Sequence, residues 1–209
     1  MSSSKAQRGG SWEIVAAEFV AAAHALPQLP EAGGPELAFA GRSNVGKSSL
    51  MNRALGRRRL VRTSSTPGCT RTVAFFSARA RDGEEFSLVD LPGYGFAKRS
   101  KAERSAWAKL VEGYLLGRTA LRAVVVLVDA RHGPTDDDRR LIEFVMGRAR
   151  AEPVVIPVAT KLDKVPKSRR RSMLQKLERA LAQPVIGASA VTGEGVAELW
   201  TALRRVVGG

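Results

Sequence analysis

The chain has 209 residues, enough for one full core, and contains no run of about eighteen apolar residues that could span a bilayer. Its single cysteine, Cys69, excludes an internal disulfide and fits a reducing cytoplasm. A formal net charge of +14 makes a polyanion the expected partner, RNA, DNA or an anionic membrane surface, with a merely solvated basic surface as the alternative.

Residues 1–12 read as a disordered or loosely ordered polar tail rather than a signal peptide, and residues 13–209 as a single domain without an internal linker. Residues 13–21 are compatible with an extra strand or a short helix. Pro27, Pro30, Gly33, Gly34 and Pro35 then mark a loop, and His24 beside it has no second ligand residue nearby. Glu36-Leu37-Ala38-Phe39-Ala40 reads as a short buried strand. It runs into Gly41-Arg42-Ser43-Asn44-Val45-Gly46-Lys47-Ser48, which meets the phosphate-binding pattern GxxxxGK[ST] in full, and a helical stretch follows from Ser49 to Leu55. Successive backbone N–H groups at a helix N-terminus form a concave nest for a triphosphate. Gly41 and Gly46 allow the turn, Lys47 reaches toward the β- and γ-phosphates, and the Ser48 hydroxyl suits Mg²⁺.

A long segment dense in Ser, Thr and Arg occupies residues 57–72, a length that usually marks function or mobility. Residues 73–78 and 86–89 read as strands joined through the hairpin signal Asp82-Gly83. The second ends in Asp90-Leu91-Pro92-Gly93, where a carboxylate can hold Mg²⁺ through water and a backbone N–H can approach a γ-phosphate. Residues 100–117 form an amphipathic helix with Trp107, Leu110, Val111, Tyr114 and Leu115 on one face. The apolar run 123–129 predicts a central parallel strand, and Asp136–Arg148 a helix with acidic residues in its first turn. A further strand over 153–159 leads into Thr160-Lys161-Leu162-Asp163. One fixed carboxylate at Asp163 can accept from both the N1–H and the 2-amino group of guanine, an arrangement that adenine lacks. Lys161 would lay its stem along the base. The chain closes with a helix over Lys167–Leu181, a strand over 184–188 and a helix over 195–207; in the turn Ala188-Ser189-Ala190 a backbone N–H could meet the guanine O6.

These motifs, in this order, resemble the translation-factor-related P-loop GTPases. The closer resemblance, over roughly residues 13–206, is to the EngB/YihA/YsxC family of ribosome-biogenesis GTPases. It is carried by residues 41–50, Ser65-Thr66-Pro67-Gly68-Cys69-Thr70, Asp90-Leu91-Pro92-Gly93-Tyr94-Gly95, Asp129-Ala130-Arg131-His132 and Thr160-Lys161-Leu162-Asp163. The resemblance implies that Thr70 closes on Mg²⁺ in the GTP state and that Gly68, Cys69, Thr70, Arg71 and Thr72 contact the nucleotide. Cys69 stands where the family usually has a basic residue.

The expected fold is α/β: the three-layer, Ras-like P-loop NTPase architecture, a mostly parallel sheet with one antiparallel edge pair and the nucleotide at the carboxyl ends of the strands. Lys47, Thr70 and Gly93 are the candidate catalytic residues, and no side chain qualifies as a nucleophile or general base. Ser48, Thr70 and Asp90 are the candidate Mg²⁺ residues. Nucleotide contacts are expected from Gly41 through Ser49, from Asp90 through Gly93, from Thr160 through Asp163 and from Ala188, Ser189 and Ala190. Many GTPases place a Gln after the DxxG glycine to orient water; here that position is Tyr94, which predicts slow intrinsic hydrolysis and leaves room for K⁺ near Asn44 as an activating ion. Basic clusters around residues 57–71, 98–104 and 164–171 suggest ribosomal RNA or a large-subunit precursor as partner, with a monomeric cytoplasmic protein. A P-loop phosphotransferase acting on a nucleotide or small metabolite is the competing reading, and it would not need Asp163.

Overall fold

The computed structural model describes residues 12–61, 72–95, 101–148 and 151–208. The two most apolar runs form the middle of the sheet. Strand β2 (Glu36–Gly41), buried at every position, pairs in parallel with β5 (Leu121–Asp129). Beyond β5 lie β6 (Val154–Thr160) and the two-residue β7 (Ile186–Gly187), both parallel. On the other side β4 (Glu85–Asp90) runs parallel to β2, β3 (Val73–Ala80) returns antiparallel to β4, and β1 (Ile14–Ala23) pairs antiparallel with β3. The sheet order is β1-β3-β4-β2-β5-β6-β7.

The ambiguous stretch after Glu13 is therefore a strand. It covers the edge of β3 that would otherwise leave a row of peptide groups unpaired, and it widens the expected antiparallel edge by one strand. Two register shifts interrupt the pairing, between Ile14 and Ala16 and between Phe19 and Ala21. The last strand is shorter than residues 184–188: Pro184 has no N–H to give to a ladder, and only Ile186 and Gly187 pair, opposite Val158 and Ala159.

Alternation along the strands sorts the core into two layers. Leu37 and Phe39 face α1 (Lys47–Ala54) and α5 (Val196–Val207), where Leu50, Met51, Leu199, Trp200 and Leu203 close over them. Ala38, Ala40, Val124 and Val126 face the opposite layer, made by α2 (Lys101–Gly117), α3 (Asp136–Arg148) and α4 (Lys167–Leu181). Leu110, Val111, Tyr114 and Leu115 of α2 are buried there as their spacing predicts; the Trp107 side chain lies outside the described residues. Each fully buried Leu or Phe side chain contributes about 1.5–3 kcal/mol.

Trp12 corrects the boundary of the polar tail. Only 5% exposed, it stacks on Phe86 at 4.5 Å between ring centroids and meets Trp200 edge-on at 5.7 Å. Its ring surface is packed against both aromatics although its Nε1–H has no hydrogen-bond partner among the described residues, so Trp12 belongs to the core.

Two polar clusters fix helix ends, one against the sheet and one locally. At the start of β2, Glu36 is buried and accepts from the Tyr114 hydroxyl at 2.8 Å and from Arg118 at 2.5–3.0 Å, which pins the end of α2. Burial first, then the Glu36 carboxylate, pushes the Tyr114 phenol well above its ordinary range, so it stays a donor. The start of α3 is a capping box: the Asp138 carboxylate accepts from Thr135 N at 2.7 Å and Thr135 Oγ1 at 2.8 Å, while Asp138 N points back at Thr135 Oγ1 at 3.4 Å.

Candidate nucleotide-binding site

The β2-to-α1 connection has the geometry that the glycine pattern predicts. Gly46 sits at the N-cap of α1 with φ 104°, a left-handed conformation that a side chain would strain. Leu50 N bonds back to Gly46 O at 2.9 Å, so the helix begins at once and Lys47 stands in its first turn. Val45 is 4% exposed and faces the core, so only its backbone can line a ligand. Arg42, Asn44 and Ser49 are exposed, and Ser43 and Ser48 are half-buried. Asn44 has φ 63°, a conformation that Asn tolerates better than most residues, so the turn alone accounts for its presence.

The end of β4 joins this loop through the backbone. Ser43 N donates to Tyr94 O at 3.1 Å and Tyr94 N to Gly41 O at 3.4 Å. A Cβ at Gly93 would fall 3.0 Å from Ser43 Oγ, so the two segments are in close contact and a larger residue would push on Ser43. Asp90 is 4% exposed and its carboxylate pairs with the Lys47 ammonium. The phosphate-loop lysine and the β4 carboxylate thus meet in one buried spot, and Ser48, half-buried, follows Lys47 in the first turn of α1. Carboxylate and hydroxyl oxygens are hard donors of the kind that Mg²⁺ takes, so the residues present fit that ion. Leu91 is a core residue at 1% exposure. The Tyr94 hydroxyl turns away and donates to Asp138 Oδ1 at 2.6 Å; burial first, then Asp138, drives its phenol far above the ordinary range.

The third component comes from the ends of β5, β6 and β7. Thr160 is 3% exposed, and its Oγ1 donates to Val45 O at 2.7 Å, fastening β6 to the phosphate loop rather than facing outward. Lys161 takes φ 59° and stretches back over the loop, where its Nζ bonds to Asn44 O at 2.6 Å and Asp129 Oδ2 at 3.0 Å. Asp163, 13% exposed, accepts from Ser189 Oγ at 2.7 Å, and that hydrogen bond holds its carboxyl below the ordinary aspartate range. Leu162 and Ala188 point into the core and bond through Leu162 N to Ala188 O at 3.1 Å. In the turn that follows, Ala188 N is used by Ala159 O and Ser189 N by Glu194 O, while Ala190 N has no such partner among the described residues.

The structure therefore brings together the phosphate loop, Asp90 through Gly93, Lys161, Asp163 and the Ala188-Ser189-Ala190 turn at the carboxyl ends of the strands. Gly68, Cys69, Thr70 and Arg71 lie outside the described residues, and Thr72 is half-buried just before β3. Asp129 carries a role that its sequence position alone did not disclose. It holds Lys161 Nζ and also accepts from Arg131 Nε at 2.9 Å and Nη2 at 2.7 Å. Burial works against its charge, but the bonds from Arg131 and Lys161 prevail and keep the carboxyl below the ordinary range. The available signal was an acid closing a parallel strand immediately beside the strand that ends in Thr160-Lys161.

Such a site on such a sheet defines a P-loop nucleoside triphosphatase. A family model described as "50S ribosome-binding GTPase" matches residues 36–161, more than half of the chain, and the protein is a GTPase that hydrolyses GTP. It is 46% identical over 191 residues to the "Probable GTP-binding protein EngB" of Geobacillus kaustophilus, covering 90% of this chain and 94% of that one. The protein of the same name from Anaeromyxobacter sp. is 44% identical over 196 residues, with 90% and 89% covered. The chain belongs to the EngB family of GTP-binding proteins. Among solved structures, a GTP-binding protein engB superposes with a TM-score of 0.64 at 23% identity, covering 82% of this chain and 98% of that one. Era in complex with MgGDPNP and a piece of 16S ribosomal RNA superposes with a TM-score of 0.68 at 22% identity, covering 83% and 56%. Both likenesses concern the fold.

Proposed function

We propose that this GTPase is a slow molecular switch in assembly of the large ribosomal subunit, acting as a cytoplasmic monomer that holds ribosomal RNA or a pre-ribosomal particle more tightly with GTP than with GDP. The observation that carries the proposal is the direct backbone stitching of the phosphate loop to the turn after Asp90, from Ser43 N to Tyr94 O. A change at the phosphates is thereby passed to the segment that follows, where Lys98, Arg99, Lys101 and Arg104 are concentrated. The family description, a 50S ribosome-binding GTPase, supports the choice of partner.

In this reading the backbone of residues 41–49 cradles the phosphates, Lys47 exchanges Asp90 for the β- and γ-phosphates, and Gly93 offers its N–H to the γ-phosphate. Mg²⁺ would be held by Ser48, by Asp90 through water and by Thr70 in the GTP state, and would neutralise phosphate charge. Asp163 accepts from guanine N1–H and the 2-amino group, Lys161 covers the base, and Ala190 N–H is the candidate donor to O6. Positioning and charge stabilisation carry the catalysis. The Tyr94 phenol, committed to Asp138, is not available to orient water, which supports a low intrinsic rate. K⁺ held in part by Asn44 would supply the missing charge; hydrolysis should then be faster in KCl than in NaCl at equal ionic strength, and equal rates would remove the ion from the scheme. The phosphotransferase alternative leaves the Asp163 and Ser189 pairing without a purpose.

The switch itself is tested with purified large-subunit precursors. Affinity should be higher with a non-hydrolysable GTP analogue than with GDP and fall steeply with salt. Equal affinity in both states would leave a passive basic surface.

A further inference from the structure

The solvent-facing side of α4 is a strongly charged surface that the nucleotide site does not use. Leu177 and Leu181 anchor the helix in the core, and Met173 and Leu174 pack at its margin. Its exposed positions include Lys167, Arg169, Arg171, Lys176 and Arg179, and none of these cations forms an ion pair among the described residues. The one acid of the helix, Glu178, is half-buried and turns toward Val185 N at 3.4 Å. Helix α3 is built the other way: Arg139 and Arg140 are paired with Asp136 and Asp137 one turn earlier. Surface cations are neutralised within the molecule on α3 and left for an external anion on α4.

The helical period arranges these side chains in order. Lys167 and Arg171, one turn apart, form one flank, and Arg169 and Lys176, two turns apart, form the other. Between the flanks runs a stripe of Ser168, Ser172, Gln175 and Arg179 at helical spacing, all exposed. From Lys167 to Arg179 the helix advances about 18 Å at 1.5 Å per residue. Cations on both borders, with two hydroxyls, an amide and the Arg179 guanidinium between them, match two phosphate strands bordering a groove that displays hydroxyls. The wide, shallow minor groove of A-form RNA, lined by 2′-hydroxyls, is such a groove. No large apolar side chain is exposed on α4 to enter a bilayer.

We propose that α4 is a docking surface for double-stranded RNA, seated across its minor groove, and that it binds in GTP and GDP states alike. State independence follows from its anchoring: Arg170 ties the helix to Glu194 at 2.7 Å and to Val165 O at 3.0 Å, behind the base-reading motif. This inference rests on the reading of the protein as an RNA-binding switch and adds a constant anchor to the state-dependent contacts.

The test uses the full chain, loaded with GDP or a non-hydrolysable GTP analogue, and a short mixed-sequence RNA duplex across a KCl series. The triple variant R171Q/K176Q/R179Q should lose roughly tenfold or more in duplex affinity, equally in both states, and the salt slope should fall by about 0.9 per phosphate contact removed. GTP affinity and thermal midpoint serve as folding controls, and R139Q/R140Q on α3 serves as the control for net charge. The proposal is overturned if the α4 variant binds duplex like the unaltered chain, if the α3 variant loses as much, or if anionic vesicles bind the α4 face and duplex RNA fails to displace them. Absence of RNA binding by the unaltered chain in both states would remove the switch reading too, whereas state-dependent binding that keeps its full affinity after the α4 changes would remove only this inference.

Discussion

Asp129 shows how much a single carboxylate organises at the residue scale. It clamps Lys161 by its ammonium while Asn44 O holds the same group from the other side, so the lysine stem is stretched over the phosphate loop before any base arrives. Asp129→Asn keeps the shape and removes the charge. GTP and GDP affinity should fall about tenfold, near 1.4 kcal/mol, as read by nucleotide titration; unchanged affinity would show that Lys161 needs no clamp. Because the Asp129 and Asp163 carboxyls are both held below the ordinary range, their contributions to stability are complete above that range and disappear as pH falls beneath it. The acid limb of a stability profile should therefore be shallower in Asp129→Asn, and an identical limb would contradict the assigned bonds.

At the scale of elements, Trp12 and β1 decide how the edge of the sheet is sealed. Trp12 lies between Phe86 of β4 and Trp200 of α5, joining the chain before β1 to two distant elements. Trp12→Ala should cost about 3 kcal/mol in denaturant unfolding while leaving nucleotide affinity intact; a loss under 1 kcal/mol would return this residue to the tail. The sequence misplaced Trp12 because the residues before it are polar, and local composition does not reveal a ring stack whose members are Phe86 and Trp200. It left β1 open between strand and helix for a related reason. Val15, Phe19 and Val20 are all exposed, so no clean alternation marks a buried face, and the pairing with β3 that settles the matter is remote in sequence. The central strands were legible because their uninterrupted apolar runs suit burial on both faces. So was the turn of the phosphate loop, whose glycine spacing matches the left-handed Gly46 at the N-cap of α1. Asp129 was not, since its role depends on β5 and β6 ending side by side, and the bond from Thr160 Oγ1 to Val45 O depends on the same packing.

For the whole molecule, the parallel sheet brings chain segments far apart in sequence to one edge: the phosphate-loop residues from β2 and α1, Asp90 from β4, and Lys161, Asp163 and Ser189 from the ends of β6 and β7. In the proposed reading ligand choice is a property of the assembled edge: Asp163 would read guanine while the Ser189 hydroxyl, 2.7 Å away, orients it. Asp163→Asn exchanges a pure acceptor for a group that can donate to the 2-keto oxygen of xanthine. Nucleotide titration of this variant is the most direct measurement: GTP should weaken by roughly a hundredfold or more, while xanthosine triphosphate, poorly bound by the unaltered chain, should become the preferred ligand. If GTP stayed as tight and xanthosine triphosphate gained nothing, the assignment of Asp163 as the guanine reader would be contradicted.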